Sequence, residues 1–388
     1  MSELTDLPKV PGNLVFGNLL EFRSDRFGFL TRANAQHGPV VRARHGIFSV
    51  VLSADADFSK EVMVDHADVF EKGYGLSVFM RPMLGNGLLT SEGALHKKQR
   101  RMMSPAFAHK RIAEYAAVIA ERTESAEARW TDGARIDFAE EMMRLTLEIV
   151  GKTLFDAEVG SSAGEVGEAI TAAMHAAIRG INSLVPMPPQ VPTPANVRAR
   201  KHVATLDEII YRIIRERRAD GTDHGDFLSM LLVAQDEDDG SVMTDKQVRD
   251  EAMTIFLAGH ETTANALAWT FYLLAQHPEA RARLEREVDD VLGGRTPTLA
   301  DLANLPFAMA VFKESMRLYP PAYVVSRRAT REVEIRGVRL PKNQLVLINI
   351  VGMHHEARYF PEPWRFDPDR FMPAREKDLV KHAFAPFA

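Results

Sequence analysis

Cysteine does not occur anywhere in the 388-residue chain. Its absence excludes disulfides, thiolate zinc sites and cysteine nucleophiles. No stretch approaches the ~18 uninterrupted apolar residues of a membrane span, and the start, MSELTDLPKV, has acidic residues where a signal peptide needs basic ones. Together these gaps lead us to expect a soluble, cytoplasmic protein with no membrane span. Nor is there an excess of positive charge: 48 basic residues stand against 53 acidic ones, a net charge of −5. That balance argues against nucleic acid as the main partner. No Ser/Gly linker, low-complexity tract or repeat divides the chain, so a single domain over 1–388 is expected.

What is present reads mostly as helix. GPVVRARHGIFSVVLSA alternates around Val41 to Arg44, turns at Gly46 and resumes from Phe48 to Leu52, a hairpin pattern. From about residue 92, helical periods run through 92–107, 109–130, 139–155, 164–180, 195–218, 225–235, 244–276, 278–291 and 306–318. Strand signals return over 331–350, with turns at Gly337 and Pro341-Lys342-Asn343. Thr244 and Gln247 make a capping-box pattern at the start of the longest helix, Pro278 separates it from the next, and Gly293-Gly294 ends that one. Residues 244–276 span ~50 Å at 1.5 Å per residue, enough to cross a domain. Apolar residues on several faces make this helix a buried, central one.

The stretch FLAGHETTANALAW, 256–269, interrupts that helix with Gly259, His260, Glu261, Thr262 and Thr263. A Gly in a helix interior costs ~1 kcal/mol relative to Ala, and each β-branched Thr adds a few tenths. A buried carboxylate at Glu261 costs more unless paired or neutralised. One reading is a turn solvated in a surface groove. Another is a functional turn, in which Gly259 admits a flat partner and the Thr hydroxyls bond back to carbonyls one turn earlier. His260 and Glu261 also begin the H-E-x-x-H zinc pattern, but the fifth residue is Ala264, so the second imidazole is missing.

Two charged constellations accompany this turn. In FKESMRLYPP, Glu314 and Arg317 are three apart on one helical face, and WRFDPDRF, 364–371, offers Arg370 as a third member. A carboxylate clamped between two guanidinium groups would fix a loop against a helix. In GALHKKQRRMMSPAF, 93–107, His96 and Arg100 are four apart on one face, while Lys97, Lys98 and Arg101 point elsewhere. Two donors on one face can hold an anionic group; a solvated basic face is the alternative.

The order AGHETT in a long helix, ESMR followed by LYPP, and then FDPDRF resembles the cytochrome P450 family of haem-thiolate monooxygenases, across essentially all 388 residues. The resemblance implies a mainly α fold with small β-sheets: a long central helix, a helix bundle and a β-rich side region. It implies haem (iron protoporphyrin IX) as cofactor. It makes Ala258 and Gly259 the groove where dioxygen and substrate meet the haem, and Glu261 and Thr262 members of the catalytic proton-delivery network. A buried acid beside a hydroxyl suits such a relay, because desolvation raises a carboxyl pKa towards the operating pH. His96, Arg100 and Arg327, the last ahead of its neighbour Arg328, match positions that bind the haem propionates. Glu314, Arg317 and Arg370 match a structural triad that holds the loop behind the haem.

The family continues from a stretch like FAPFA, 384–388, where Phe387 counts among the haem-binding positions, through Gly-rich residues to an Arg and the cysteine that ligates iron. This sequence reaches Ala388 without it. Two readings stay open: a C-terminally incomplete piece of a haem enzyme whose axial cysteine and last helix lie just beyond Ala388, or a haem-less protein that binds a hydrophobic ligand without catalysis. For the enzyme, the resemblance implies a hydrophobic small-molecule substrate, O2, and electrons from a separate ferredoxin or flavodoxin with its reductase. Phe79, Met80, Met83 and Leu84 in the segment 74–90 suggest an apolar ligand, though they also suit core filling. The Pro-rich segment 185–194 matches a mobile lid. Lys97, Lys98 and Arg101 would suit docking of an acidic electron donor.

Overall fold

The structure, a computed structural model, describes residues 2–156, 163–181 and 189–387. Part of the Pro-rich segment, 185–188, therefore lies outside the described residues. Its longer helices are α1 (Leu19–Ser24), α2 (Arg26–His37), α3 (Gly93–Met103), α4 (His109–Glu127), α5 (Phe138–Phe155) and α6 (Ala163–Ile181). They continue with α7 (Pro194–Asp220), α8 (Phe227–Val233), α9 (Asp245–Gln276), α10 (Pro278–Leu292) and α11 (Pro306–Leu318). The strands are β1 (Ser2–Glu3), β2 (Val40–His45), β3 (Phe48–Ser53), β4 (Phe70–Lys72), β5 (Val325–Ala329), β6 (Val333–Ile335), β7 (Val338–Leu340) and β8 (Leu345–Ile348).

Two compact units form: Met1–Gly75 with Trp269–Asp290 and Leu305–Ala388, and Leu76–Ala268 with Val291–Asn304. No linker marks the division, one boundary of which falls inside α9.

The first unit holds both sheets. The five-stranded sheet runs β2-β3-β8-β5-β4, with β3 and β8 parallel and the other neighbours antiparallel. Period-two alternation along β3 sends Val51 into one core, with Val346 and Ile348, and Leu52 into another, with Phe29, Leu30 and Val41. Covering both faces of a central strand explains why β3 reads as a continuous apolar run. The side-chain amide of Asn349 then fastens α2 to the end of β8, donating to the Leu30 carbonyl at 2.7 Å and to Asn34 Oδ1 at 2.8 Å. Helix α2 escapes a sequence reading because Gly28 and several polar residues blur its period; Asp25 caps it by accepting from the Gly28 amide.

The second unit is helical, packed around Leu206, Ile214, Phe227, Leu228, Val248 and Ala252. Helix α9 starts as its capping box predicts: Gln247 Oε1 accepts from the Thr244 amide at 2.9 Å, and Thr244 Oγ1 accepts from the Gln247 amide at 3.3 Å. Met80, Met83 and Leu84 are at most 5% exposed and belong to this core.

Candidate functional site

The polar turn of α9 has two distinct sides. Leu257, His260 and Ala264 are buried, whereas Ala258, Thr262 and Asn265, spaced at i, i+4 and i+7, are exposed and small. The helix thus carries a strip of small exposed residues opposite its buried side at its middle. Thr262 Oγ1 donates to the Ala258 carbonyl at 2.5 Å, the back-bond expected of a mid-helix hydroxyl. Burial raises the Glu261 carboxyl above its ordinary value, and His175 on α6 opposes that shift. On the buried side, His260 Nδ1 lies 3.0 Å from Thr146 Oγ1, and burial lowers its pKa to about 4. Among the described residues no cluster of three or more metal-ligating side chains exists. Gly259 serves packing as well: a Cβ there would sit 3.2 Å from Val150 Cγ2 of α5.

Two to three turns earlier, α9 holds down the segment leading into α3. Asp250 Oδ2 accepts from the Asn86 amide at 2.9 Å and Glu251 Oε2 from the Leu88 amide at 2.8 Å. Gly85 and Gly87 make this contact possible, since a side chain at either would overlap Asp250 or Thr254. Gln99 of α3 completes the clasp by donating to the Asn86 carbonyl at 2.6 Å. Sequence reasoning missed Asp250 and Glu251; an acidic pair inside a buried helix and a G-N-G turn were the available signals.

Helix α3 presents His96 half-buried and Arg100 exposed. The basic run expected to suit an acidic electron donor carries ion pairs of its own. Lys98 Nζ binds Asp239 at 2.7 Å, and Arg101 Nη2 binds both Asp236 and Asp238 at 2.6 Å, so two of its three cations are neutralised by the acidic loop 236–241. Lys97 remains exposed.

Within the first unit the triad is assembled. Arg317 binds Glu314 bidentately, at 2.7 Å through Nε and 2.8 Å through Nη2, and Arg370 Nε stands 3.6 Å from Glu314 Oε1. Glu314 and Arg317 are 0% and Arg370 4% exposed. Burial pushes the Glu314 carboxyl up, and the Arg317 fork pulls against it. Arg317 also donates to the carbonyls of His354, Pro363 and Arg365, while Glu314 accepts from the Asp367 amide at 2.9 Å. His354, another residue the sequence did not flag, extends this network: its Nδ1 lies 3.2 Å from the Arg317 carbonyl, and its Nε2 accepts from the Ala385 amide at 3.0 Å. Those contacts require neutral imidazole protonated on Nδ1, and burial lowers its pKa to about 3.

Arg327 lies mid-strand in β5 opposite Lys72 and Val346. Arg328, on the other face, is held by Glu71 at 2.6 Å and Asn343 at 2.9 Å. Phe387 is 85% exposed. Elsewhere in the second unit, a cavity of about 160 Å³ is lined by Phe79, Met83, Ala173, Ala177, Gly180 and Val203 together with polar Arg200 and Asp207.

The family model described as Cytochrome P450 matches residues 8–388. Cyclooctatin synthase of Streptomyces melanosporofaciens is 38% identical over 380 residues, covering 97% of this chain and 82% of that one. Pentalenene oxygenase of Streptomyces avermitilis is 32% identical over 376 residues, covering 96% and 82% respectively. The crystal structure of a cytochrome P450DA heme domain matches 100% of this chain and 86% of that chain with a TM-score of 0.89 at 26% identity.

Proposed function

This chain belongs to the cytochrome P450 family and is a haem-dependent monooxygenase, and from that premise we propose that it inserts one atom of O2 into a hydrophobic small organic substrate. Electrons come, on this reading, from a separate ferredoxin or flavodoxin with its reductase. The observation that carries the proposal is the open strip of Ala258, Thr262 and Asn265 on a core helix, with a carboxyl raised by burial beside it. A planar macrocycle bearing propionates fits the residues at hand in the second unit: a flat strip of small side chains, and His96 and Arg100 as cationic donors for carboxylates. Bound haem supplies the activation of dioxygen. Cysteine is absent from these 388 residues, so iron ligation is not among the roles assigned to them.

Each assigned role concerns binding, orientation or protons. Ala258 and Gly259 keep the strip low enough for oxygen and substrate. Glu261, raised by desolvation, holds its carboxyl proton to higher pH than an exposed glutamate does. Thr262 Oγ1, anchored on the Ala258 carbonyl, keeps its lone pairs directed outward and passes a proton at the strip. Glu314, Arg317 and Arg370 position the 362–367 segment, and His354 with them positions Phe384 and Ala385. Phe387 offers an exposed ring for packing against the macrocycle. The apolar cavity beside Phe79 and Met83, and a relative named for pentalenene, support a hydrocarbon-rich substrate.

The test is Thr262→Ala in the haem-loaded protein. Haem absorbance and substrate binding should persist, while reducing equivalents shift from hydroxylated product to hydrogen peroxide. Unchanged coupling removes Thr262 from proton delivery.

A further inference from the structure

Between α8 and α9 of the second unit the chain makes a short acidic turn. Gln235 bridges to Val242, and inside that bridge the Asp236 amide donates to the Ser241 carbonyl at 2.9 Å and the Gly240 amide to the Asp236 carbonyl at 2.8 Å. Asp236 is buried at the centre, where its Oδ1 accepts from the amides of Asp238 at 3.0 Å and Asp239 at 3.3 Å. Gly240, at φ +67°, takes the left-handed conformation that a side chain resists. These bonds hold the turn without help from α3.

Its carboxylates nevertheless meet α3. Arg101 is paired with Asp236 and Asp238, and Lys98 with Asp239, while Lys98 Nζ also donates to Ser241 Oγ at 2.7 Å. The charges match: four cations in the run 97–101 stand against four carboxylates in 236–239. The carboxylates differ in how firmly they are placed. The side chain of Asp236 is 1% exposed, whereas those of Asp238 and Asp239 are 75% and 57% exposed. Exposed ion pairs are weak and screened by salt, so a carboxylate arriving from outside can replace Asp238 or Asp239 while Asp236 stays in place.

We propose that the turn 236–241 is a built-in competitor for α3: Asp238 and Asp239 occupy the cations that an acidic partner protein would bind, and they give way to the partner's carboxylates when it docks. This rests on the reading that α3 receives an acidic electron donor. The matched charges weaken the field that would steer any acidic protein to this face. Docking exchanges one set of ion pairs for another, so a partner gains there by presenting carboxylates closely enough spaced to displace both aspartates. Proteins with scattered acidic residues are disfavoured, which makes the turn a selector of partners as well as a brake on binding.

The experiment is isothermal titration calorimetry of the haem-loaded protein with an acidic plant-type iron–sulfur ferredoxin, at low and at high salt. The double variant Asp238→Asn, Asp239→Asn should bind the ferredoxin about three- to tenfold more tightly than the parent at low salt. At high salt, where screening shortens to a few ångströms, the gain should vanish. Asn at 239 keeps an oxygen to accept from the Ser241 amide, so the melting temperature should hold. The double variant Asp289→Asn, Asp290→Asn, at exposed positions of α10, makes the same change in net charge and should stay within about twofold of the parent. A gain there equal to that of the turn variant overturns the proposal in favour of net charge alone. If the turn variant binds like the parent while Lys97→Glu binds more weakly, α3 docks the donor without competition, and the proposal alone is overturned. If neither changes the affinity, or no binding occurs, the docking reading falls and the proposal falls with it.

Discussion

Arg317 uses all five of its guanidinium donors: two on Glu314 and one each on the carbonyls of His354, Pro363 and Arg365. A point charge cannot copy that fork. Arg317→Lys should therefore lose about 3 kcal/mol or more, because the carbonyls and part of the carboxylate are left unpaired in a dry core. Urea unfolding of the variant measures this, and unchanged stability would show that the fork geometry is dispensable. His354 makes a second prediction at this scale. Its folded pKa of about 3 lies below the unfolded value of 6.5. Its contribution is fully present above the unfolded value and is lost as pH falls through that interval, at up to ~1.4 kcal/mol per pH unit. His260 and His355, both lowered to about 4, act in the same direction. His354→Gln should flatten the dependence of melting temperature on pH below the ordinary histidine range; an unaltered slope would mean that His354 is not the group that titrates.

Elements are held by contacts of a different kind. The segment 85–88 lies on α9 because two glycines allow it and two carboxylates anchor its amides. Gly87→Ala, which would push a methyl group into Thr254 and the Asp250 carbonyl, should destabilise by about 1–3 kcal/mol and make the chain more cleavable near Asn86. Thermal melts and limited proteolysis read both effects, and resistance equal to the parent would mean the segment is held by something else. This clasp also shows why some of the molecule is legible in sequence and some is not. The periods of α3 to α11, the capping box at Thr244 and the Glu314–Arg317 pair are local, so spacing alone reveals them. Asn86 and Asp250 are 164 residues apart, and Arg101 and Asp236 are 135 apart. No window of sequence contains both partners, which is why the clasp went unseen and why Lys98 and Arg101 looked available. The same holds for β4 and β5, short strands whose signal comes from distant neighbours.

At the scale of the molecule, the net charge of −5 makes any local positive surface more consequential for long-range encounter with an acidic donor. With Lys98 and Arg101 engaged by the loop 236–241, Lys97 is the member of that run left to act. Lys97→Glu should slow reduction by an acidic ferredoxin or flavodoxin at low salt more than at high salt; a salt-independent rate in the variant removes this surface from docking. The parallel pairing of β3 with β8 acts over the whole length too. Val50 pairs with Leu345 and Ser53 with Ile348, so the hairpin must wait for a strand made almost 300 residues later. At 5–20 residues per second, ribosomal synthesis leaves an interval of about 15–60 s between them. Throughout it Val51 lacks its cover from Val346 and Ile348, while residues 76–268 are already synthesised and able to collapse around their own core. Birth order thus leaves the β8-facing edge of the amino-terminal hairpin unpaired until β8 is made.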